Sequence, residues 1–184
     1  MPRVVEGAWR VTGIAMATTG VVLEFDVAGI PAPKGSARAM LIGGRARLIA
    51  SGSNANGKAM RLWATAVRTA ALAAAKGTRI ANLPVGVGIT FRLARPKGHI
   101  GANGLPKRGA PVLPTVKPDL DKLARCTLDA LVTTTTRGEI LIGVLDDDSR
   151  IVSLGIMKRY AEDDEQPGAY ISISVLDDLR EVVA

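Results

Sequence analysis

Three segments of this chain alternate apolar and polar residues, and stretches with helical spacing separate them. Residues 21–27, 85–93 and 169–175 carry apolar side chains at every second position. This period is typical of strands that turn one side to a core and the other side to solvent. Such a chain must build a sheet with apolar cover on one face.

Helical spacing indicates two helices that can supply this cover. Residues 58–76 are rich in alanine and lack proline, and Gly77 is a plausible stop. A second amphipathic pattern runs from Leu120 to Leu131 and ends at the threonine run 133–136. Shorter strands are predicted at residues 39–42 and 45–49 around a Gly-Gly turn and at 150–158, and residues 138–144 are predicted to be a short strand or an ordered turn. The order predicts an α+β fold, in which two main helices pack on one mixed β-sheet.

The chain's length suits a single globular domain. We predict a disordered N-terminal extension over residues 1–20, the domain over 21–176, and a C-terminal tail over 177–184. Met16 is an alternative natural start. The acidic residues 162–165 are predicted to be a solvated hairpin loop.

The composition narrows the classes of function. The sequence has 24 Lys and Arg against 17 Asp and Glu, a net charge of +7, which favours a polyanionic partner. Aromatic residues make up only 3%, too few for a stacking platform that binds single strands. The single cysteine, Cys126, excludes an intrachain disulfide and fits a reducing cytoplasm. No run reaches the roughly 18 apolar residues that a membrane span needs, and the interrupted N-terminal segment does not resemble a signal peptide.

Two aspartates stand at the start of the second helix. On a regular helix Asp119 and Asp121 would point about 200° apart, so they converge only if Asp119 precedes the helix. Pro118 favours that arrangement, with Asp119 as the N-cap and Asp121 in the first turn. Capping alone is the alternative interpretation of this pair.

An acidic triplet, residues 146–148, precedes a predicted strand. A polar turn would explain it by itself. Together with Asp119 and Asp121, however, it could form the all-oxygen site that Mg²⁺ or Mn²⁺ prefers. Arg125 lies one turn after Asp121, where it could pair with that carboxylate, pair with Asp129, or contact a phosphate.

At these residues the sequence resembles the signature of RusA-type Holliday junction resolvases. The resemblance rests on Lys-Pro-Asp-Leu-Asp-Lys-Leu at 117–123, Leu-Asp-Ala-Leu at 128–131, and Asp-Asp-Ser-Arg-Ile-Val at 147–152 with Lys158. The proline and basic segment at 31–38 also fits, and the likeness extends over about residues 21–175.

The resemblance implies a homodimeric endonuclease that uses Mg²⁺ to nick paired strands of a four-way DNA junction in recombination and repair. Many members of this family come from phages and prophages, which implies the cytoplasm of a bacterial host. By motif, the metal ligands are Asp119, Asp121 and Asp148, with Asp147 as their neighbour, and Arg125 completes the catalytic set. Lys122 stands where the family motif often has Asn, and Arg125 where it often has Lys. Because an arginine cannot donate a proton near neutral pH, phosphate clamping is favoured for Arg125.

Basic residues are the predicted DNA contacts, and most of them cluster in two loops without acidic residues, although each could be an ordinary solubilising charge. They are Lys34, Arg38, Lys97, Lys107, Arg108, Lys117, Lys122 and Lys158. His99 is interpreted as a solvated residue, and Cys126 and Trp63 as core residues. Two other functions stay open: a non-catalytic DNA-binding phage accessory protein, and a metal-dependent nucleotide phosphohydrolase.

Overall fold

Four strands form the central sheet of the computed structural model, which describes residues 18–35, 38–49, 55–136, 138–162 and 164–176. The strands and helices are β1 Thr18–Ala28, β2 Arg38–Ile42, β3 Arg45–Ile49, α1 Ala55–Ala75, β4 Val85–Leu93, α2 Leu120–Leu131, β5 Thr134–Thr136, β6 Glu139–Leu141, β7 Ile151–Tyr160 and β8 Gly168–Leu176. Short 3₁₀ turns lie at Lys97–His99 and Asp148–Arg150.

The sheet has the order β1-β8-β4-β7. Strand β8 pairs antiparallel with β1 and β4, and β7 pairs parallel with β4. Ile171 lies opposite Phe25 and Ile89, and Ile89 lies opposite Ile156, so apolar residues share one face across all four strands. The predicted α+β domain with one mixed sheet and two main helices is confirmed.

Both helices cover the apolar face of the sheet. Trp63 and Val67 of α1 and Leu123 of α2 are buried there. The indole N–H of Trp63 donates to the Thr127 hydroxyl at 3.0 Å, so the buried polar groups of the two helices satisfy each other. Cys126 is buried as predicted, and burial raises the pKa of its thiol to about 11.

The connection from β7 to β8 crosses over another strand. Since β4 lies between β7 and β8, the segment at 162–165 does not close a hairpin, and that prediction is wrong. Alternating patterns indicate strands but do not say which strands pair. Glu165 is also less solvated than predicted, because it forms a two-bond ion pair with Arg159.

The acidic triplet is held at the C-terminal end of α2. The helix ends at Leu131, and part of the threonine run that follows forms β5, which pairs with β6. The Leu145 N–H then donates to the Leu131 carbonyl at 3.0 Å, and the Thr133 N–H donates to the Leu145 carbonyl at 3.0 Å. This pairing fixes where residues 146–148 begin.

Strand β1 begins at Thr18, within the predicted N-terminal extension. The rest of that extension and the tail at 177–184 lie outside the described residues. None of the described helices is long and apolar enough to cross a membrane.

Candidate active site

Asp119 is the N-cap of α2, as the sequence predicts. Its backbone is extended, with φ −69° and ψ 137°, and its carbonyl accepts from the Leu123 N–H at 3.1 Å. The carboxylate makes no capping hydrogen bond within the described residues and instead accepts from the Lys122 ammonium at 2.6 Å. This hydrogen bond is the main reason that the pKa of Asp119 lies below its usual value. Asp119 is therefore an ionised group just outside the helix.

Asp121 lies in the first turn of α2 and is exposed. It forms no salt bridge with any other described residue. A carboxylate here is favoured by the positive end of the helix dipole. Of the two aspartates, Asp121 is the one whose charge no ion pair offsets.

The three aspartates before β7 have different surroundings. Asp146 accepts from the Asn82 backbone N–H at 3.2 Å and lies 3.5 Å from Nε of Arg150, which itself bonds to the Asn82 side chain. Asp147 accepts from the Ser149 N–H at 2.8 Å, and its hydrogen bonds with Ser149 lower its pKa. Asp148 is exposed at the start of the 3₁₀ turn. Asp146 and Asp147 thus shape the turn that presents Asp148.

One chain does not bring the two acidic segments together. No three acidic, histidine or cysteine side chains in the described part of the chain lie close enough to hold a metal ion. Lys158, near the end of β7, donates to the Pro118 carbonyl at 2.9 Å, whereas Asp148 precedes the start of β7. The seven residue-to-residue steps from Ile151 to Lys158 span about 23 Å at about 3.3 Å each. The carboxylates have the oxygen chemistry that Mg²⁺ prefers, but they do not complete a metal site within one chain.

Comparison with known proteins identifies the kind of protein to which these segments belong. The family model of the endodeoxyribonuclease RusA matches residues 33–174. The chain belongs to the RusA endodeoxyribonuclease family. No curated protein matches it. The match contains both acidic segments and the basic loop at 95–117, and it identifies the chain as a nuclease that acts on DNA.

In this RusA-family nuclease, several predicted DNA contacts have partners inside the protein. Lys34 pairs with Asp129 of α2, and Lys122 pairs with Asp119. The Lys158 ammonium donates to two backbone carbonyls, and that of Lys107 donates to the Gly98 carbonyl at 2.9 Å. Charge alone could not reveal these partners, and those of Lys34 and Lys158 come from distant parts of the sequence.

Three of the remaining predicted contacts, and Arg125, present their charge to solvent. Lys97, Arg108, Lys117 and Arg125 are exposed, and none of them forms a salt bridge with another described residue. Asp129 pairs with Lys34 and not with Arg125. The backbone of Arg38 begins β2, but its side chain lies outside the described structure.

Sequence reasoning missed the contacts that hold the basic loop of the RusA domain. The Arg95 guanidinium lies 4.2 Å from the centre of the Tyr160 ring and donates to the Pro111 carbonyl at 2.8 Å. His99 meets the same ring edge-on, at 6.2 Å between ring centres. Arg95 and Tyr160 line an open cavity of about 600 Å³. Tyr160 was the signal available in the sequence, because it is a lone tyrosine near the end of a predicted strand in a chain with few aromatic residues.

Proposed function

We propose that the chain is a Mg²⁺-dependent endonuclease that resolves four-way DNA junctions by paired nicks. The observation that carries the proposal is the pair of exposed aspartates, Asp121 and Asp148, each presented by an ordered turn of a RusA-family domain. A net charge of +7 on the whole chain favours association with DNA. The likeness to resolvases also supports a phage or prophage protein acting in the bacterial cytoplasm.

A homodimer suits a substrate with two equivalent strands to cut. Strand β7 is an edge of the four-stranded sheet, and no described strand pairs with its outer side. Val152 and Leu154 on β7 are large apolar residues that are 56% and 43% exposed. An exposed apolar edge strand is a template for pairing with a second chain. We therefore propose that two copies pair along β7.

Antiparallel pairing of two β7 strands would also join the separated carboxylates. With the two-fold axis near Ser153, Asp148 of one copy lies opposite Lys158 of the other. Lys158 bonds to the carbonyl of Pro118, the residue before Asp119. The site would then take Asp119 and Asp121 from one copy and Asp148, with Asp147 beside it, from the other.

A metal ion bound there would activate a water molecule and stabilise charge on the scissile phosphate. The proposed ligands offer only oxygen atoms, which suits Mg²⁺ and also Mn²⁺. Arg125 is exposed one turn after Asp121, and we assign it to holding the phosphate.

The exposed basic residues would hold the junction arms. Lys97, Arg108 and Lys117 belong to the loop that leads to Asp119, and Lys107 has ammonium protons left to donate. We propose that junction shape determines selectivity. Arg38 stays a predicted contact.

The first test is cleavage of a labelled four-way junction and a matched linear duplex, with Mg²⁺ or with EDTA. We expect paired, metal-dependent nicks near the branch point by the wild type and none by Asp121→Asn. Binding without cleavage by the wild type would instead indicate a non-catalytic DNA-binding protein. Equal cutting of both substrates would contradict junction selectivity, and turnover of free nucleotides would indicate a phosphohydrolase.

A further inference from the structure

Lys158 lies on the side of the sheet that the helices cover. It is opposite Phe91 of β4 in the parallel register, and residues paired in this way share a face. Phe91 is fully buried, and so, nearly, is Tyr160, which lies two residues beyond Lys158 on the same face. The Lys158 side chain therefore starts on the face of the sheet that packs against protein, and not on a face that is open to solvent.

The Lys158 ammonium donates hydrogen bonds to two backbone carbonyls. It donates to the Val116 carbonyl at 2.9 Å and to the Pro118 carbonyl at 2.9 Å. An ammonium group has three protons to donate, so these bonds use two of them. A phosphate contact would compete with bonds that already satisfy most of the group.

The segment held by Lys158 has little other support. From Val112 to Lys117, no backbone group bonds to another described backbone group. Val112, Leu113 and Val116 are large apolar residues that stay exposed, and Pro114 is buried, so packing holds this segment at Pro114 and not at Val116. Within the described structure, the bond from Lys158 to the Val116 carbonyl is the hydrogen bond that restrains it.

The same segment leads directly into the candidate site. Asp119 follows Pro118, and its carbonyl accepts the first hydrogen bond of α2. The Asp119 carboxylate is held separately by Lys122. Lys158 therefore restrains the chain just before Asp119, and Lys122 restrains the side chain.

We propose that Lys158 is a positioning residue, whose two bonds to the 116–118 backbone place Asp119 for catalysis, and that it does not bind phosphate. This role rests on the proposed function and adds to it a lysine that acts through the backbone. An arginine at this position could still donate to both carbonyls, whereas a methionine could donate to neither.

The test compares Lys158→Met, Lys158→Arg and Lys97→Met, an exposed lysine expected to contact phosphate. At saturating junction, Lys158→Met should lower the single-turnover cleavage rate tenfold or more, and Lys158→Arg should recover part of it. Junction affinity and its salt dependence should stay at wild-type values in Lys158→Met. In Lys97→Met, the slope of log affinity against log salt should fall by about one.

Amide hydrogen exchange of the free protein supplies a readout that needs no activity. Exchange should speed up at residues 123–126 of Lys158→Met, the first amides of α2 that have hydrogen-bond partners, because the start of the helix is less firmly held. It should stay unchanged in β4 and β8, which also shows that the variant is folded. A salt slope lowered by about one, with an unchanged rate, would overturn the proposal, and so would unchanged exchange at 123–126. If the wild type does not cut junctions, the proposed function fails, while the exchange experiment still decides whether Lys158 holds the segment.

Discussion

The two ends of β7 use charge in opposite ways. At its start, three aspartates meet one arginine, and Asp148 stays exposed without a salt bridge among the described residues. At its end, Lys158 bonds to two carbonyls and Arg159 forms a two-bond pair with Glu165. The start thus keeps a carboxylate available for chemistry, while the end uses its cations to hold neighbouring segments. In a basic protein, therefore, a lysine can be assigned to DNA binding only after its hydrogen-bond partners inside the protein have been identified.

The largest expected effect comes from comparing a carboxylate at the start of β7 with one that follows its end. Asp148→Asn should lower junction cleavage by about 100-fold or more, because the metal-assisted step loses several kcal/mol of stabilisation. Glu165→Gln, at the other end, should leave the cleavage rate within about twofold, since Glu165 pairs only inside the protein. Single-turnover rates on the labelled junction give both values. Equal losses in the two variants would contradict the division of roles between the ends.

A second prediction tests whether one active site combines Asp121 of one copy with Asp148 of the other copy. Asp121→Asn and Asp148→Asn should each be inactive, but mixing them should restore nicking. In a mixed dimer one site collects both substituted residues and the other collects neither, so about a quarter of all sites should be intact. The products should be single nicks in place of paired cuts.

The control for this experiment mixes Asp119→Asn with Asp121→Asn, which come from the same chain in the proposed site. No mixed dimer then contains an intact site, so that mixture should stay inactive. If the mixture of Asp121→Asn and Asp148→Asn is also inactive after the subunits have exchanged, each site takes its carboxylates from one chain.

The elements were more predictable than their contacts. Alternation revealed β4 and β8 because burial on one face imposes a period of two on the local sequence. It did not reveal that β4 separates β7 from β8, since pairing depends on residues far apart in the chain. The N-cap position of Asp119 was predictable from Pro118, whereas the two carbonyls that occupy Lys158 were not. The placement of Asp148 away from Asp119 depends on how α2 and β7 run past each other, which no local pattern encodes.

The free energy of unfolding should distinguish Asp146, at the start of β7, from Asp164, which follows its end. Asp146→Ala should lower the free energy of unfolding by about 1–3 kcal/mol, because Asn82 N–H and Arg150 lose a shared acceptor. Asp164→Ala is the matched control, an exposed acid expected to change stability by less than about 0.5 kcal/mol. Urea unfolding monitored by circular dichroism gives both values. A neutral Asp146→Ala would mean that Asp146, like Asp148, is available for another role.

The smallest expected effect is a pH dependence confined to the end of β7. Hydrogen bonds from Arg159 lower the pKa of Glu165 to about 2, from an ordinary value of 4.5. A carboxylate with a lowered pKa stabilises the folded state fully above its unfolded value and loses that contribution as the pH falls from about 4.5 toward 2. Since both side chains are about 30% exposed, solvent screening limits the contribution to about 1–2 kcal/mol. The difference in unfolding free energy between wild type and Glu165→Gln should therefore be largest near pH 6 and shrink toward pH 2. A difference that does not change with pH would mean that Glu165 stabilises the crossover through packing and not through its charge.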